Sequence, residues 1–333
     1  MTSVERFRKT LAGDLKGLDR LPMIEWAGWW HLTRNRWDEE GLSKDIPGGQ
    51  LYGILGLDDH RQHWFPHKTP ECPEPQKQGG PIVETEADYD RIKPFLYPSY
   101  VPDMLYRDMT KWKEEHDNGE IPIWFSMDGG FWFPRTLLGI QGHLYAFYDE
   151  PDLYHRILED LAAFQKTALE AIYSVCVPEF MTFAEDMSYN KGPMLSEKMF
   201  NEFLLPYYQK LTPYIRSHGT HVLVDSDGNI TEMVPWLLRA GIEGALPLEY
   251  QAGVDVQKLR EKFPEFIMVG GFNKRVMKDG EEAMTAEFER LLPVMKSGRY
   301  IPSVDHQTPP DVSLENYRTY IRLLKKYAEL AVK

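Results

Sequence analysis

The segment His221-Val-Leu-Val-Asp225-Ser-Asp227-Gly228-Asn229 is a short apolar run that ends in two carboxylates and a turn. The run is typical of a buried strand, and Asp-Gly followed by Asn is typical of a turn. Pro247-Leu-Glu249-Tyr250 and Ser303-Val-Asp305-His306 repeat this order, with polar side chains after an apolar run. In a (β/α)8 barrel the active site lies where the carboxyl ends of the strands meet, so these segments predict that fold and one shared site.

Short apolar runs alternate with longer amphipathic stretches from about residue 120 onward. The predicted strands are Ile121–Met127, Glu179–Ala184, His221–Val224, Gly244–Leu248, Phe266–Val269 and Arg299–Ser303. The predicted helices are Pro151–Val175, Ser196–Ser217, Met233–Ala240, Val256–Phe263 and Glu281–Ser297. Pro22–Trp26 is predicted as a first strand, and an eighth is expected between residues 52 and 100. The alternation indicates a parallel sheet, and the sequence predicts one α/β domain, a (β/α)8 TIM barrel, over residues 1–333.

Residues 58–100 are rich in proline, glycine, histidine and aromatic residues and have no sustained period. A loop of this length is usually functional or disordered. Its aromatic residues, with Tyr52, favour an ordered excursion that covers the open end of the barrel.

Composition excludes several classes of protein. The net charge of −13 argues against a nucleic-acid partner. Two cysteines without a CxxC motif exclude a disulfide framework and a thiolate zinc site. No apolar run approaches the roughly 20 residues of a membrane span, and the charged N-terminal segment is unlike a signal peptide. We expect a cytoplasmic protein without a membrane partner, and a homodimer stays open.

Four residues are candidate metal ligands. Asp225 and Asp227 would lie on one side of an extended strand, where they repel unless a cation or a proton lies between them. With Glu249 and His306 they offer oxygen and imidazole donors suited to zinc, manganese or iron(II). The alternatives are a plain turn, proton transfer by His306 tuned by Asp305, and a structural histidine.

Three more acids and four aromatic residues complete the candidate site. Glu185, Asp186 and Asp128 follow predicted strands and are candidates for catalysis or substrate orientation, although the first two could also cap the helix near residue 196. Gly129-Gly130 would let the backbone approach a ligand closely. The predicted substrate-binding residues, which would form the wall of an apolar pocket, are Trp29, Trp30, Trp132 and Tyr250. Such walls suit a flat aromatic substrate or a macrocycle, whereas most aromatic residues in any protein belong to the core.

The chain resembles the uroporphyrinogen decarboxylase superfamily, and particularly its corrinoid-linked methyltransferase branch. The segments that carry the resemblance are Pro22–Trp30, Asp128–Gly139 and Asp311–Asn316. The resemblance extends over nearly the whole chain, and the fold that it implies is again a (β/α)8 barrel.

The departures from the family pattern bear on function. Decarboxylases of this superfamily hold substrate carboxylates with arginines in the N-terminal segment, where this chain has Glu25 and Trp29. Porphyrinogen decarboxylation is therefore not expected. In the methyltransferase branch, zinc is bound by a His-x-Cys-Gly segment, an acidic residue and a later cysteine. Asp225-Ser-Asp227-Gly228, Glu249 and His306 occupy those positions here, which implies a retained site with oxygen and nitrogen ligands.

The resemblance implies a methyltransferase that moves a methyl group from a methoxylated, aromatic substrate to a cobalt(I) corrinoid. Zinc or another divalent ion would polarise the ether oxygen. No Asp-x-His-x-x-Gly segment is present, so the corrinoid would be carried by a partner protein. The alternatives are a decarboxylase of a non-porphyrin substrate and a non-catalytic barrel that binds a small molecule.

Overall fold

The computed structural model describes all 333 residues and contains one large parallel sheet. Its strands follow the order β1-β2-β3-β6-β7-β8-β9, and β4 and β5 form a separate antiparallel pair. The strands are β1 (Arg61–Trp64), β2 (Ile123–Asp128), β3 (Phe180–Ala184), β4 (Ser188–Tyr189), β5 (Gly192–Pro193), β6 (His221–Asp225), β7 (Gly244–Leu246), β8 (Ile267–Phe272) and β9 (Tyr300–Val304). Helices separate the strands of the large sheet, as crossovers between parallel strands require.

Fourteen α-helices surround or flank the sheet. They are α1 (Ser3–Ala12), α2 (His31–Glu39), α3 (Gly48–Leu55), α4 (Glu86–Ile92), α5 (Val101–Asp117), α6 (Trp132–Leu138), α7 (Gly142–Asp149), α8 (Pro151–Tyr173), α9 (Glu197–Met199), α10 (Leu205–Ser217), α11 (Val234–Arg239), α12 (Val256–Lys262), α13 (Glu281–Met295) and α14 (Leu314–Leu330). None of these helices combines the length and apolar composition that a membrane crossing requires.

The curled sheet encloses a small core of its own. Eleven buried residues form this interior cluster, among them Trp124, Phe180 and Leu223 from adjacent strands. Phe7 and Leu11 of α1 belong to the same cluster, so the first helix closes the amino-terminal end of the sheet. A larger cluster of 82 residues fills the layer between the sheet and the helices.

The sheet has seven strands where the sequence predicted eight. The strand expected between residues 52 and 100 is β1, but the strand prediction for Pro22–Trp26 was wrong. That segment lies between the two edges of the sheet: the main-chain oxygen of Met23 accepts from Asp58 N–H at 2.8 Å, and the Trp26 indole N–H donates to the Val304 oxygen at 3.1 Å. The Met23 N–H donates to the Asp58 carboxylate instead of a strand, and proline has no N–H to donate. The fold is therefore TIM-barrel-like, without an eighth strand in its ladder.

The proline-rich region 65–85 is irregular but is hydrogen-bonded to the helix that follows β2. The Ile82 and Val83 N–H groups donate to the Leu137 oxygen at 2.8 and 3.0 Å. The Lys68 ammonium donates to the Thr136 oxygen at 3.1 Å. The region is therefore held beside α6.

Candidate active site

The carboxyl ends of the strands of the large sheet, which we call the mouth, bring several predicted residues together. Asp225 ends β6, and Asp186 and Asp227 each lie two residues beyond a strand. The Asp227 N–H donates to the Asp186 carboxylate at 3.2 Å. Burial, and then the charges of Asp186 and Asp227, raise the pKa of Asp225 well above its ordinary value. Burial and the neighbouring carboxylates also raise the pKa of Asp227 to about 7.

His306 and Glu249 complete this cluster. The Gln307 N–H donates to His306 Nδ1 at 2.8 Å, so the neutral ring carries its proton on Nε2. That Nε2 lies 3.6 Å from the Asp227 carboxylate. Burial, and then the charge of Lys274, lower the pKa of His306. Glu249 accepts from the Gly228 N–H at 2.8 Å.

Gly228 is required at this turn. Its φ is +85°, and a Cβ there would lie 2.6 Å from the Tyr189 nitrogen. The Asp-Gly sequence therefore forms the expected turn, and the role of Asp225 and Asp227 as metal ligands stays a prediction.

Lys274 is a residue that the sequence argument did not select. Its ammonium lies 3.7 Å from the buried Asp305 carboxylate, which also accepts from the N–H groups of Lys274 and Tyr250 at 3.3 and 3.1 Å. The Lys274 charge opposes the upward shift in the pKa of Asp227. The one signal in the sequence was its position two residues after β8, a strand that contains Gly270-Gly271.

The predicted metal ligands fit a divalent ion in their chemistry but not in their present arrangement. No three histidine, cysteine, aspartate or glutamate side chains converge on a common point as a metal site requires. His306 presents a protonated Nε2, and Glu249 is engaged by a main-chain donor. The mutual repulsion of Asp225 and Asp227 would nevertheless be relieved by a cation.

Glu185 does not face the mouth. It is 1% exposed and accepts from the N–H groups of Phe131 and Trp132 at 2.8 and 3.0 Å and from the Tyr208 hydroxyl. Burial raises its pKa to about 7. A Cβ on Gly129 would overlap this carboxylate. The glycine pair thus makes room for a buried acid, and the predicted catalytic role of Glu185 stays a prediction.

The four predicted substrate-binding aromatics differ in their surroundings. Trp30 and Tyr250 are 41% and 42% exposed, and the Arg290 guanidinium lies 4.8 Å from the Tyr250 ring. Trp29 packs in an aromatic cluster with the rings of Trp37, Tyr52 and Tyr317. The Trp132 ring lies 4.9 Å from the Arg135 guanidinium. Trp29 therefore contributes to packing, and the sequence could not separate it from exposed neighbours.

A buried acid lies in the segment that the resemblance aligns with substrate-binding arginines. Glu25 is 1% exposed and accepts from the hydroxyls of Tyr317 and Ser303 at 2.8 and 3.0 Å. Burial raises its pKa to about 7. Glu25 is therefore an internal residue that joins β9 and α14.

A curled parallel sheet with acidic residues gathered at its carboxyl ends places the protein among TIM-barrel-like proteins. The model of the uroporphyrinogen decarboxylase (URO-D) family matches residues 75–327. The chain belongs to that family, as its sequence motifs predicted.

Two similar proteins support the assignment of fold and family. A uroporphyrinogen decarboxylase of Campylobacter lari is 23% identical over 277 residues, which cover 75% of this chain and 74% of that protein. The solved structure of a methyltransferase from Methanosarcina mazei has a TM-score of 0.61 and 16% identity, and the match covers 98% of this chain and 99% of that one. The latter shares the fold over its whole length.

Proposed function

We propose that this protein is a methyltransferase that moves a methyl group from a methoxylated, aromatic substrate to the cobalt of a corrinoid on a partner protein. Family membership and the fold shared with the methyltransferase support the proposal. The observation that carries it is the cluster of acidic side chains at the mouth.

Carboxylates dominate the mouth. Asp186, Asp225, Asp227 and Glu249 lie near one another, and the Lys274 ammonium is beside Asp305. A polycarboxylate such as a uroporphyrinogen would be repelled by those of these groups that are ionised. A neutral methyl ether would not be repelled, which favours methyl transfer over porphyrinogen decarboxylation.

The reaction defines what these residues must do. The methyl carbon forms a bond to cobalt(I), the carbon–oxygen bond breaks, and its electron pair stays on the oxygen. That oxygen then needs a proton or a nearby cation. The His306 Nε2–H and the Asp227 carboxyl, 3.6 Å apart, are positioned to donate a proton to it.

Zinc, or another divalent ion, is a further part of the proposal. Asp225 and Asp227 would hold it, with His306 and Glu249 as additional ligands after their side chains reorient. When bound, the ion would supply Lewis acidity toward the ether oxygen. His306 would have to lose its Nε2 proton before that nitrogen could become a ligand.

The test is an anaerobic assay with 2-methoxyphenol and a corrinoid protein reduced to cobalt(I), in which methylcobalt formation is followed by absorbance. We expect Asp225→Asn and Asp227→Asn to lower the rate by roughly 100-fold or more, as loss of an acid–base or metal group does. Asp117→Asn, an exposed residue at the end of α5, is the matched control and should keep the wild-type rate.

Metal analysis of the same proteins separates the two chemistries. Near-stoichiometric zinc that both variants lose would support the ion, whereas activity without bound metal would support proton transfer alone. Release of carbon dioxide from a carboxylated substrate without corrinoid would identify a decarboxylase instead. Tight binding of the methoxylated compound with neither reaction would identify a binding protein.

A further inference from the structure

Three buried polar side chains from different elements meet at the end of β2. His67 follows β1, Gln165 lies on α8 and Tyr207 lies on α10, and they are 3%, 0% and 2% exposed. Together with Asp128, the last residue of β2, they form a hydrogen-bonded series that we call the positioning chain. Asp128 is its partly exposed end, with 23% of its side chain accessible. Burial of several polar groups is costly unless each is paired, so packing alone gives no reason for this arrangement.

The hydrogen bonds of the positioning chain determine which ring nitrogen of His67 carries the proton. The Tyr207 hydroxyl donates to Gln165 Oε1 at 2.5 Å, which sets the orientation of the amide. Gln165 Nε2 then donates to the Asp128 main-chain oxygen at 2.6 Å and to His67 Nε2 at 3.1 Å. Because His67 Nε2 accepts, the ring carries its proton on Nδ1, which lies 3.6 Å from the Asp128 carboxylate. Burial lowers the pKa of His67, which favours the neutral ring.

The register of the sheet places Asp128 two strands away from Asp225 of the acidic cluster, at the same level of the sheet. Asp128 is opposite Ala184, and Ala184 is opposite Asp225. Asp128 and Asp225 are thus two strand spacings apart, which together amount to roughly 10 Å. Asp128 lies on the same face of β2 as Ser126 and Trp124, and Trp124 belongs to the interior cluster of the sheet. One small aromatic molecule could therefore contact both Asp128 and Asp225.

We propose that Asp128 accepts a hydrogen bond from a substrate hydroxyl, and that His67, Gln165 and Tyr207 are positioning residues, which fix its main-chain oxygen and place the His67 N–H beside its carboxylate. An ionised carboxylate only accepts, so the group that it selects is a donor. The substrate is then a methyl ether that also carries a hydroxyl group, such as a methoxyphenol. The methyl ether rests on the proposed function, whereas the positioning chain does not.

The first measurement is the tautomer of His67, by ¹⁵N NMR of the imidazole nitrogens. The wild type should show a neutral ring with its proton on Nδ1. Gln165→Met, which removes the donor to Nε2 at similar volume, should give a mixture of tautomers. His63→Gln is the matched control, because His63 pairs with Asp108 on α5 at 3.1 Å, outside this chain, and it should leave the His67 signals unchanged. A wild-type proton on Nε2 would overturn the proposal.

The second measurement is calorimetric binding of 2-methoxyphenol and of 1,2-dimethoxybenzene, which lacks the hydroxyl. The wild type and His63→Gln should prefer the hydroxylated compound by about 10-fold or more, the usual effect of a hydrogen bond to a charged group. Asp128→Asn and Gln165→Met should each lower this preference several-fold. Equal or absent affinity of the wild type for the two compounds, or an undiminished preference in Asp128→Asn, would overturn the proposal. A preserved preference without corrinoid-dependent methyl transfer would refute the proposed function and leave this inference standing.

Discussion

Glu25 gives the sharpest prediction about stability, because its carboxyl is enclosed and its pKa is raised to about 7. A carboxyl whose pKa is higher in the folded than in the unfolded chain favours folding while both states are protonated. That contribution is lost as the pH rises through the folded pKa. Glu25→Gln keeps an acceptor for the Tyr317 hydroxyl and removes the ionisation, while the Ser303 hydroxyl can turn to accept from the new amide.

The magnitude follows from the two pKa values. The pKa of Glu25 is 4.5 in the unfolded chain and about 7 in the folded protein. Relative to a side chain that does not ionise, this difference lowers the free energy of unfolding by about 1 kcal/mol at pH 5 and by about 3 kcal/mol at pH 8. The free energy of unfolding of Glu25→Gln, relative to wild type, should therefore increase by about 2.5 kcal/mol over this interval.

The assay is urea unfolding of both proteins at pH 5, 6, 7 and 8, followed by tryptophan fluorescence. The matched control is Glu265→Gln, a residue that is 80% exposed in its side chain, for which the difference from wild type should stay within about 0.5 kcal/mol at every pH. A difference between Glu25→Gln and wild type that is the same at pH 5 and pH 8 would refute the reasoning, because Glu25 would then titrate alike in both states.

Three further predictions concern packing, a buried ion pair and the thiols. Gly129→Ala should lower the free energy of unfolding by about 3 kcal/mol or more, since the new methyl group displaces the Glu185 carboxylate from its donors; an unchanged melting temperature would contradict this. Asp58→Asn should lower the free energy of unfolding, measured in urea, by about 3 kcal/mol, because the Arg20 guanidinium, which donates to Asp58 at 2.8 and 2.5 Å, loses its charged partner. A decrease below about 0.5 kcal/mol would contradict the buried pair. Iodoacetamide should modify Cys72 in the folded protein and leave Cys176 intact, because Cys176 is 7% exposed and burial raises its pKa to about 12; mass spectrometry of peptides would detect the opposite order.

The strand ends could be predicted from the sequence because parallel strands are buried on both faces and read as short apolar runs. The polar residue that follows such a run must then lie at the carboxyl end of the sheet. This reasoning placed Asp225, Asp227, Glu249 and His306 at one end of the sheet, where the structure has Asp227 close to Glu249 and His306. Their role as a metal site stays a prediction. It failed for Pro22–Trp26, because an apolar extended segment does not reveal that the Met23 N–H donates to a carboxylate and not to a strand.

The positioning chain behind Asp128 could not be predicted. His67 belongs to a region without a period, and Gln165 and Tyr207 lie on helices whose amphipathic pattern assigns them only to a buried face. Their meeting depends on how α8 and α10 pack against the sheet, which no local pattern determines. The histidines at 60, 63 and 67, close to a strand end, were the one signal in the sequence that could have suggested a polar network.

The register of the sheet explains how one mouth could perform two tasks. Asp225 belongs to a group of carboxylates that repel one another, so that side of the mouth attracts a proton or a cation. Asp128 lies two strands away, 3.6 Å from the Nδ1 of a neutral histidine, and is the acceptor that we propose for a substrate hydroxyl. Ala184 stands between them on β3 and has only a methyl group as its side chain. A substrate that spans this space would present its leaving oxygen to one side and a hydroxyl to the other, so orientation and activation would depend on different residues of the same layer.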